Sequence, residues 1–247
     1  MQIPCPSQRA AATIEFMSKG KKKSGSGSSV PTGRHATVRV KTARGRTVSQ
    51  QRWLQRQLND PYVVEAKKRG YRSRAAFKLL QLDDQFRLLK PKARVIDLGA
   101  APGGWTQVSV ERTKGGVVIG IDLTPVDPIA GATVLAKDFY DEDAPELLTK
   151  LLDGPADVVL SDMAAAATGE TQVDHIRIMG LAEAAHDFAR SVLKPGGAFV
   201  AKVLRGGTER TLLDRLKKDF EKVRHVKPEA SRSDSAEMYV VATGFRG

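Results

Sequence analysis

The chain has 247 residues, of which 41% are hydrophobic, so it is long enough for one domain of about 200 residues with a buried core and a tail. Its formal net charge is +12, and the excess lies at the front: residues 1–47 carry ten Lys or Arg against one acid, and residues 48–78 carry eight against two. This distribution favours a polyanionic partner such as RNA, although a basic tail that only aids solubility would carry the same charge.

Cysteine and histidine usage argues against disulfides and metal sites. Cys5 is the single cysteine, so no internal disulfide can form, and the four histidines are scattered without the spacing of metal ligands. No apolar run approaches the roughly 20 residues of a membrane span, and residues 1–20 lack the apolar middle of a signal peptide. We therefore expect a cytoplasmic protein with no metal and no membrane association.

Residues 1–47 are rich in Lys, Gly, Ser and Thr and show little hydrophobic periodicity. Such a segment cannot bury enough apolar surface to offset the entropy of folding. We predict a disordered basic arm here, able to contact RNA backbone, followed by one folded domain over residues 48–247.

The segment 48–90 mixes aromatic and basic residues, which predicts a basic, helical, RNA-binding region at the start of the domain. Trp53 could stack on RNA bases or anchor a helix to the core, and the sequence favours neither. Ser73 is a candidate N-cap for a helix that runs through Phe77 and Leu80.

A turn rich in glycine is the strongest local signal. Residues 95–105 are VIDLGAAPGGW, which is typical of a strand, a tight turn and the start of a helix. Gly99 followed by Gly103 and Gly104 matches neither the dinucleotide fingerprint nor a phosphate loop, but glycine would still let the backbone approach a ligand closely. S-adenosylmethionine (SAM), a nucleoside cofactor without phosphate, fits better. Asp122 ends the next apolar run, where a doubly wound fold places an acid for ribose hydroxyls. A structural turn with a solvated Asp122 is the alternative.

Strands and helices alternate after residue 91. Apolar runs predict strands at 94–98, 117–123, 132–136, 157–160, 198–204 and 238–242. One helix is predicted from the stripe Ile178, Leu181, Ala185, Phe188 and Val192, and a later one from Leu212, Leu213, Leu216 and Phe220. The order predicts an α/β fold with a mostly parallel sheet, helices on both faces and ligands at the carboxyl ends of the strands.

Three polar residues fall at that carboxyl edge: Asp138, Asp162 and Lys202. Lys202 interrupts an apolar strand, and a buried unpaired ammonium is costly, so we expect it to pair with Asp162 on a neighbouring strand. Alternatively, its stem lies along the sheet while its head reaches water. A lysine beside SAM could act as a base for a weakly acidic hydroxyl, or stabilise the developing alkoxide.

Several motifs, in order, closely resemble the FtsJ/RlmE family of ribosomal RNA 2′-O-ribose methyltransferases. The resemblance runs from about residue 49 to the end and rests on segments 53–54, 72–79, 97–105, 161–164, 202–203 and 227–242. It implies a Rossmann-like SAM-dependent methyltransferase fold with a mostly parallel seven-stranded sheet and helices on both faces.

The resemblance also implies roles for individual residues. The family's catalytic Lys-Asp-Lys-Glu tetrad corresponds to Lys78, Asp162, Lys202 and Glu237, with Lys202 the principal catalytic residue. The family's SAM contacts correspond to Gly103, Trp105, Asp122, Asp138 and Asp162. Lys78 and Glu237 are identified only through the family, because each would otherwise pass for an ordinary solvated residue.

The substrate and partner implied by the family are a specific uridine of 23S rRNA and the assembled, or nearly assembled, large ribosomal subunit. We expect a monomer. One departure is the loop after Asp162, where the family usually has Met-Ala-Pro-Asn and this chain has alanines at 164–167. Rival functions are a ribosome-assembly RNA-binding protein with a vestigial SAM pocket, and a SAM enzyme that acts on a different RNA, a small molecule or a protein.

Overall fold

A computed structural model describes residues 47–166, 168–205 and 209–247 of the chain. Nearly all of the predicted basic arm, residues 1–47, lies outside this part. The two interpretations of the Trp53 side chain concern atoms that also lie outside it.

The described residues form seven helices and seven strands. The helices are α1 (Val48–Asn59), α2 (Pro61–Arg69), α3 (Ala75–Phe86), α4 (Gly104–Thr113), α5 (Ala144–Leu152), α6 (Thr171–Val192) and α7 (Glu209–Asp219). The strands are β1 (Arg94–Leu98), β2 (Val117–Asp122), β3 (Thr133–Ala136), β4 (Ala156–Ser161), β5 (Leu193–Leu204), β6 (Phe220–Val226) and β7 (Glu237–Phe245).

The strands form one seven-stranded sheet in the order β3-β2-β1-β4-β5-β7-β6. All neighbouring pairs are parallel except the two that involve β7, which is antiparallel to both β5 and β6. Strand order reverses between β1 and β4, and such a switch point is where doubly wound folds bind ligands. This confirms the predicted α/β fold with a mostly parallel sheet.

Apolar side chains cover both faces of the sheet, as expected for parallel strands. One core lies between the sheet and α5, α6 and α7, and includes Leu148, Ala185 and Leu216. The other lies between the sheet and α2, α3 and α4, and includes Phe77 and Val108. The prediction of helices on both faces is therefore confirmed.

The sequence patterns missed β6 and misassigned its first residue. Phe220 was predicted to continue the stripe of α7, but the helix ends at Asp219 and Phe220 begins the strand. Most of β6 is exposed and charged, because it is the last strand of the sheet. A hydrophobic pattern is weak in a strand that buries so little of its surface.

Two helix details also differ from the predictions. Ser73 is not the N-cap of α3, because the helix begins at Ala75 with Arg74 in the cap position and no side-chain cap bond. The Ser73 hydroxyl instead packs against the glycine turn, so closely that a Cβ at Gly104 would lie 2.4 Å from its oxygen. In α6 the helix ends at Val192 as predicted, but Ile178 and Leu181 are only half-buried.

Asp97 is a fully buried carboxyl in the middle of β1. One carboxyl oxygen accepts a 2.6 Å hydrogen bond from the Thr106 hydroxyl, and the other has no hydrogen-bond partner. Burial raises the pKa of Asp97 to about 7, and the nearby carboxylates of Asp162 and Asp122 add to the effect. The native state therefore favours the neutral form of this side chain.

We predict that Asp97→Asn makes stability less dependent on pH. Because the pKa of Asp97 is higher in the folded than in the unfolded chain, the folded protein binds more protons between pH 4 and 7. The contribution of Asp97 to the free energy of unfolding is complete at low pH. It is lost as the pH rises through about 7, and the loss amounts to at most about 4 kcal/mol. Asparagine is neutral at every pH and can still accept from Thr106.

The measurement is urea unfolding of both proteins at pH 5 and pH 8, with Asp153→Asn, an exposed position, as the control for loss of one carboxylate. We expect the wild type and the control to lose more stability than Asp97→Asn between the two pH values. Parallel pH dependence in all three proteins would contradict a raised pKa for Asp97.

Candidate active site

The glycine turn joins β1 to α4 and packs against the loop that follows β4. Gly99 has a φ of +80°, and a Cβ there would lie 2.8 Å from backbone atoms of Met163. A Cβ at Gly103, with a φ of +108°, would lie 2.7 Å from the Ile129 side chain. The crowding that requires glycine at these positions thus comes from the protein itself, not only from a ligand.

A cavity of about 480 Å³ opens at the carboxyl edge of the sheet, beside the turn. Its wall is mainly apolar and carries two carboxylates from neighbouring strand ends, Asp122 and Asp138. The remaining wall residues are Gly99, Ile121, Leu123, Lys137, Phe139, Tyr140, Met163, Ala164, Ala165, Arg177, Gly180 and Leu181. The loop that departs from the family pattern therefore contributes directly to this wall.

Backbone donors fix the orientation of the Asp122 carboxylate. One oxygen accepts from the Ala101 amide at 2.9 Å, and the other accepts from the Thr124 amide at 2.7 Å. Each carboxylate oxygen has a second lone pair, so Asp122 can still accept from two hydroxyls in the cavity. A vicinal diol, such as that of a ribose, matches this acceptor pair.

Three of the residues implied as cofactor contacts are not on the cavity wall: Gly103, Trp105 and Asp162. Gly103 caps the start of α4, and Trp105, in the first turn of that helix, is 3% exposed. The Trp105 indole N–H donates to the Ala75 carbonyl at 2.9 Å, and its ring packs against Tyr239 at 5.5 Å. Trp105 thereby holds the start of α3 against the turn.

Lys202 pairs with Asp162, as the sequence predicted. The ammonium lies 2.7 Å from the Asp162 Oδ1 and also donates to the Asp162 carbonyl at 2.8 Å. The two side chains are only 10% and 16% exposed. Lys202 lies in β5 and Asp162 directly follows β4, the neighbouring parallel strand, so the sheet itself sets their separation.

A second buried pair joins α3 to the start of β7. The Lys78 ammonium lies 2.6 Å from the Glu237 carboxylate, and the Ser231 hydroxyl donates to the same carboxylate at 3.1 Å. The structure thus brings all four residues of the implied tetrad together in two ion pairs. Partial burial makes such pairs costly to break, because one charge would be left uncompensated.

Tyr239 connects the two pairs and was not identified from the sequence. Its hydroxyl donates to the Asp162 carboxylate at 2.7 Å and accepts from the Lys78 ammonium at 3.3 Å. Burial raises the pKa of Tyr239 well above its usual value, and the carboxylate of Asp162 adds to the effect, so the phenol stays neutral and donates. We call Lys78, Asp162, Lys202, Glu237 and Tyr239 the buried network.

Strand register explains why Tyr239 was missed. It lies directly opposite Lys202 on the antiparallel neighbour β7, and two residues after Glu237, on the same face of the strand. The alternation of Glu and Tyr is visible in the sequence, but its meaning depends on β7 pairing with β5.

Residues 47–166, 168–205 and 209–247 contain no group of three or more His, Cys, Asp or Glu side chains placed to hold a metal ion. Nor do they contain a helix long and apolar enough to cross a membrane.

Known proteins resemble this chain over most of its length. Residues 71–245 match the model of the family described as FtsJ-like methyltransferase. The chain is 61% identical to ribosomal RNA large subunit methyltransferase E of Paramagnetospirillum magneticum, over 92% of this chain and 97% of that protein. It is 60% identical to the protein of the same name from Rhodospirillum rubrum, over 93% and 91% of the two chains. A crystal structure described as a ribosomal RNA methyltransferase from Plasmodium falciparum superposes with a TM-score of 0.64 at 32% identity, over 72% of this chain and 100% of that one.

We predict that Tyr239→Phe lowers the rate of the reaction at this site about tenfold without unfolding the protein. Phenylalanine keeps the ring that packs against Trp105 but removes the hydrogen bond to Asp162, worth about 1 to 1.5 kcal/mol. The measurement is kcat for methyl transfer, with the thermal unfolding midpoint recorded for both proteins.

Tyr71→Phe is the matched control, because this tyrosine also donates to a carboxylate, that of Glu111, and lies outside both the cavity wall and the buried network. An unchanged kcat in Tyr239→Phe would show that the network does not need the phenol.

Proposed function

We propose, since the chain belongs to the FtsJ-like methyltransferase family, that it transfers a methyl group from SAM to a ribose 2′-hydroxyl of ribosomal RNA. The observation that carries this proposal is the buried Lys202–Asp162 pair at the carboxyl edge of the sheet, where Asp162 directly precedes Met163 of the cavity wall. An acid and an ammonium at that position suit a reaction in which a hydroxyl becomes a nucleophile.

The cavity fits SAM by its size and by its polar groups. Asp122 would accept from the ribose hydroxyls, and Asp138, at the next strand end, would accept from the adenine amine. Gly103 and Trp105 would act by shaping the turn, and Asp162 would face the methionine end of the cofactor. When bound, SAM supplies an electrophilic methyl carbon on a sulfonium, so that the C–O bond forms as the C–S bond breaks.

Lys202 is best suited to stabilise charge on the substrate oxygen. An ammonium has three N–H donors, and two of them are used by the Asp162 carboxylate and carbonyl. The third is available to orient the 2′-hydroxyl and to stabilise the negative charge that develops as its proton leaves. Asp162 contacts Lys202 and is the group that we assign to accept this proton.

Lys78, Glu237 and Tyr239 would keep Asp162 and Lys202 in place. Tyr239 donates to the same Asp162 oxygen that meets Lys202, and Lys78 is held by Glu237 on the other side. Such supporting contacts fix catalytic groups in the geometry that the reaction needs. The other members of the buried network therefore act as positioning residues.

The proposed substrate is a specific uridine of 23S rRNA, presented on the large ribosomal subunit. Support comes from relatives named for the large-subunit RNA and from the basic residues at the front of the chain. Ala165, where the family usually has proline, alters the cavity wall relative to the family pattern but leaves the buried network intact.

Labelled SAM tests this function directly. The full chain is incubated with large ribosomal subunits, and in parallel with naked rRNA, and the RNA is then digested with alkali. A ribose methylated at its 2′-oxygen cannot cyclise onto its phosphate, so the label should appear in an alkali-resistant dinucleotide. Label in a mononucleotide would indicate base methylation, and binding of RNA without any transfer would indicate an assembly factor.

We predict that Lys202→Ala lowers methyl transfer about 100- to 1,000-fold while SAM affinity changes by less than about threefold. The substitution removes the charge that stabilises the developing alkoxide. Such stabilisation commonly raises kcat by a factor of about 100 to 1,000. Transfer is followed with labelled SAM, and SAM affinity by calorimetry. Lys194→Ala, an exposed position at the start of the same strand, is the control. Equal losses of transfer and SAM binding would contradict the role assigned to Lys202.

A further inference from the structure

We propose that a second cavity, at the Lys78–Glu237 end of the buried network, holds the RNA phosphate next to the methylated ribose. This inference rests on the proposed function and adds to it the residues that grip the substrate backbone. The cavity, which we call the cationic cleft, measures about 390 Å³ and is lined by Arg56, Gln57, Arg74, Lys78, Arg232, Asp234, Ser235 and Glu237.

The cationic cleft has walls from three parts of the chain. Helix α1 supplies Arg56 and Gln57, and the start of α3 supplies Arg74 and Lys78. The segment that leads into β7 supplies the rest. The Lys227 ammonium holds this segment in shape by donating to the carbonyls of Ser233 and Ser235. The cleft is therefore a formed feature of the fold.

Two of the four cations of the cleft are committed to the protein. Arg74 donates to the Asp60 carboxylate and to the Ala230 carbonyl, and Lys78 pairs with Glu237. These contacts are buried and serve to dock the segment before β7 onto α3. The two side chains are only 16% and 12% exposed, so a ligand in the cleft reaches them less readily than it reaches the exposed cations.

The other two cations, Arg56 and Arg232, make only long contacts with acids. The Arg56 guanidinium lies 3.6 Å from the Asp234 carboxylate, and the Arg232 guanidinium lies 3.9 Å from that of Asp60. The Asp60 carboxylate already pairs with Arg74. Their side chains are 58% and 33% exposed. A guanidinium has five N–H donors in a planar fork that matches the oxygens of a phosphate. These two arginines are thus the groups suited to bind a phosphate in the cleft.

Asp234 occupies the mouth of the cleft as an internal competitor. Its carboxylate sits opposite Arg56, and both side chains are mostly exposed, so the pair contributes little to stability. A carboxylate and a phosphate compete for the same guanidinium. We infer that a backbone phosphate displaces Asp234 from Arg56 when RNA binds.

The position of the cleft relative to the buried network explains why this phosphate would be the one beside the target ribose. Lys78 and Glu237 line the cleft and also belong to the network, which continues through Tyr239 to Asp162 and Lys202. In RNA each 2′-hydroxyl lies next to the 3′-phosphate of the same nucleotide. A phosphate in the cleft would therefore leave its ribose facing the network.

Paired substitutions of opposite sign test this inference. Affinity for large-subunit rRNA is measured as a function of salt for the full chain and for Arg232→Gln and Asp234→Asn. Loss of one phosphate contact should weaken binding and lower the slope of log K against log salt by about 0.7 to 0.9. We expect this for Arg232→Gln, and we expect Asp234→Asn to bind RNA more tightly than the wild type.

The matched controls lie on β6, at the far edge of the sheet: Arg224→Gln and Glu221→Gln remove the same charges from exposed positions. They should change affinity less than the cleft variants and leave the salt slope unchanged. If Arg232→Gln fails to fold, Arg56→Gln provides the same test, because that side chain is mostly exposed.

The outcomes separate this inference from the proposed function. A wild-type protein that transfers no methyl group to rRNA contradicts the function, whatever the cleft variants do. A wild type that is active, with the slope of Arg232→Gln equal to that of Arg224→Gln, overturns the cleft assignment alone. Equal tightening of RNA binding by Asp234→Asn and Glu221→Gln would overturn the competitor role of Asp234.

Discussion

The central constraint on this structure is the cost of placing two ammonium groups and two carboxylates in a site that water barely reaches. Each lysine of the buried network is paired within 2.7 Å, and Tyr239 supplies a neutral donor between the pairs. Partners come from α3, β5, β7 and the end of β4, so the charges are satisfied only when these elements are assembled. Folding and construction of the active site are thus the same event.

Most of the fold could be predicted from the sequence because most helices and strands bury a regular pattern of apolar residues. The six predicted strands all exist, and the stripe of α6 was recognised although Ile178 and Leu181 are only half-buried and Leu181 lies on the cavity wall. The wrong predictions concerned features that depend on tertiary context. Strand β6 is an exposed, charged strand at the edge of the sheet. The Ser73 side chain packs against the glycine turn and does not cap a helix. Hydrophobic periodicity reflects burial, so it gives no signal for an element that buries little of its surface.

The residues of the candidate site could be predicted from the sequence to different extents. Lys202 and Asp162 could be proposed from chemistry alone, because a lysine in an apolar strand needs a partner at the neighbouring strand end. Lys78 and Glu237 could be found only through the family resemblance, since their pairing joins residues far apart in the chain. Tyr239 and the cationic cleft required the register of β7 and the docking of the segment before it. Long-range pairing is the information that local patterns lack.

The reversed direction of β7 has a further consequence for how such enzymes can diverge. In a wholly parallel sheet, only residues that follow a strand reach the ligand edge. Here a strand that runs the opposite way presents its first residues, Glu237 and Tyr239, at that same edge. The linker before it lines the cationic cleft, which shares no wall residue with the cavity beside the glycine turn. Changes of length or charge in that linker can retune which RNA is accepted while the methyl-donor pocket stays as it is.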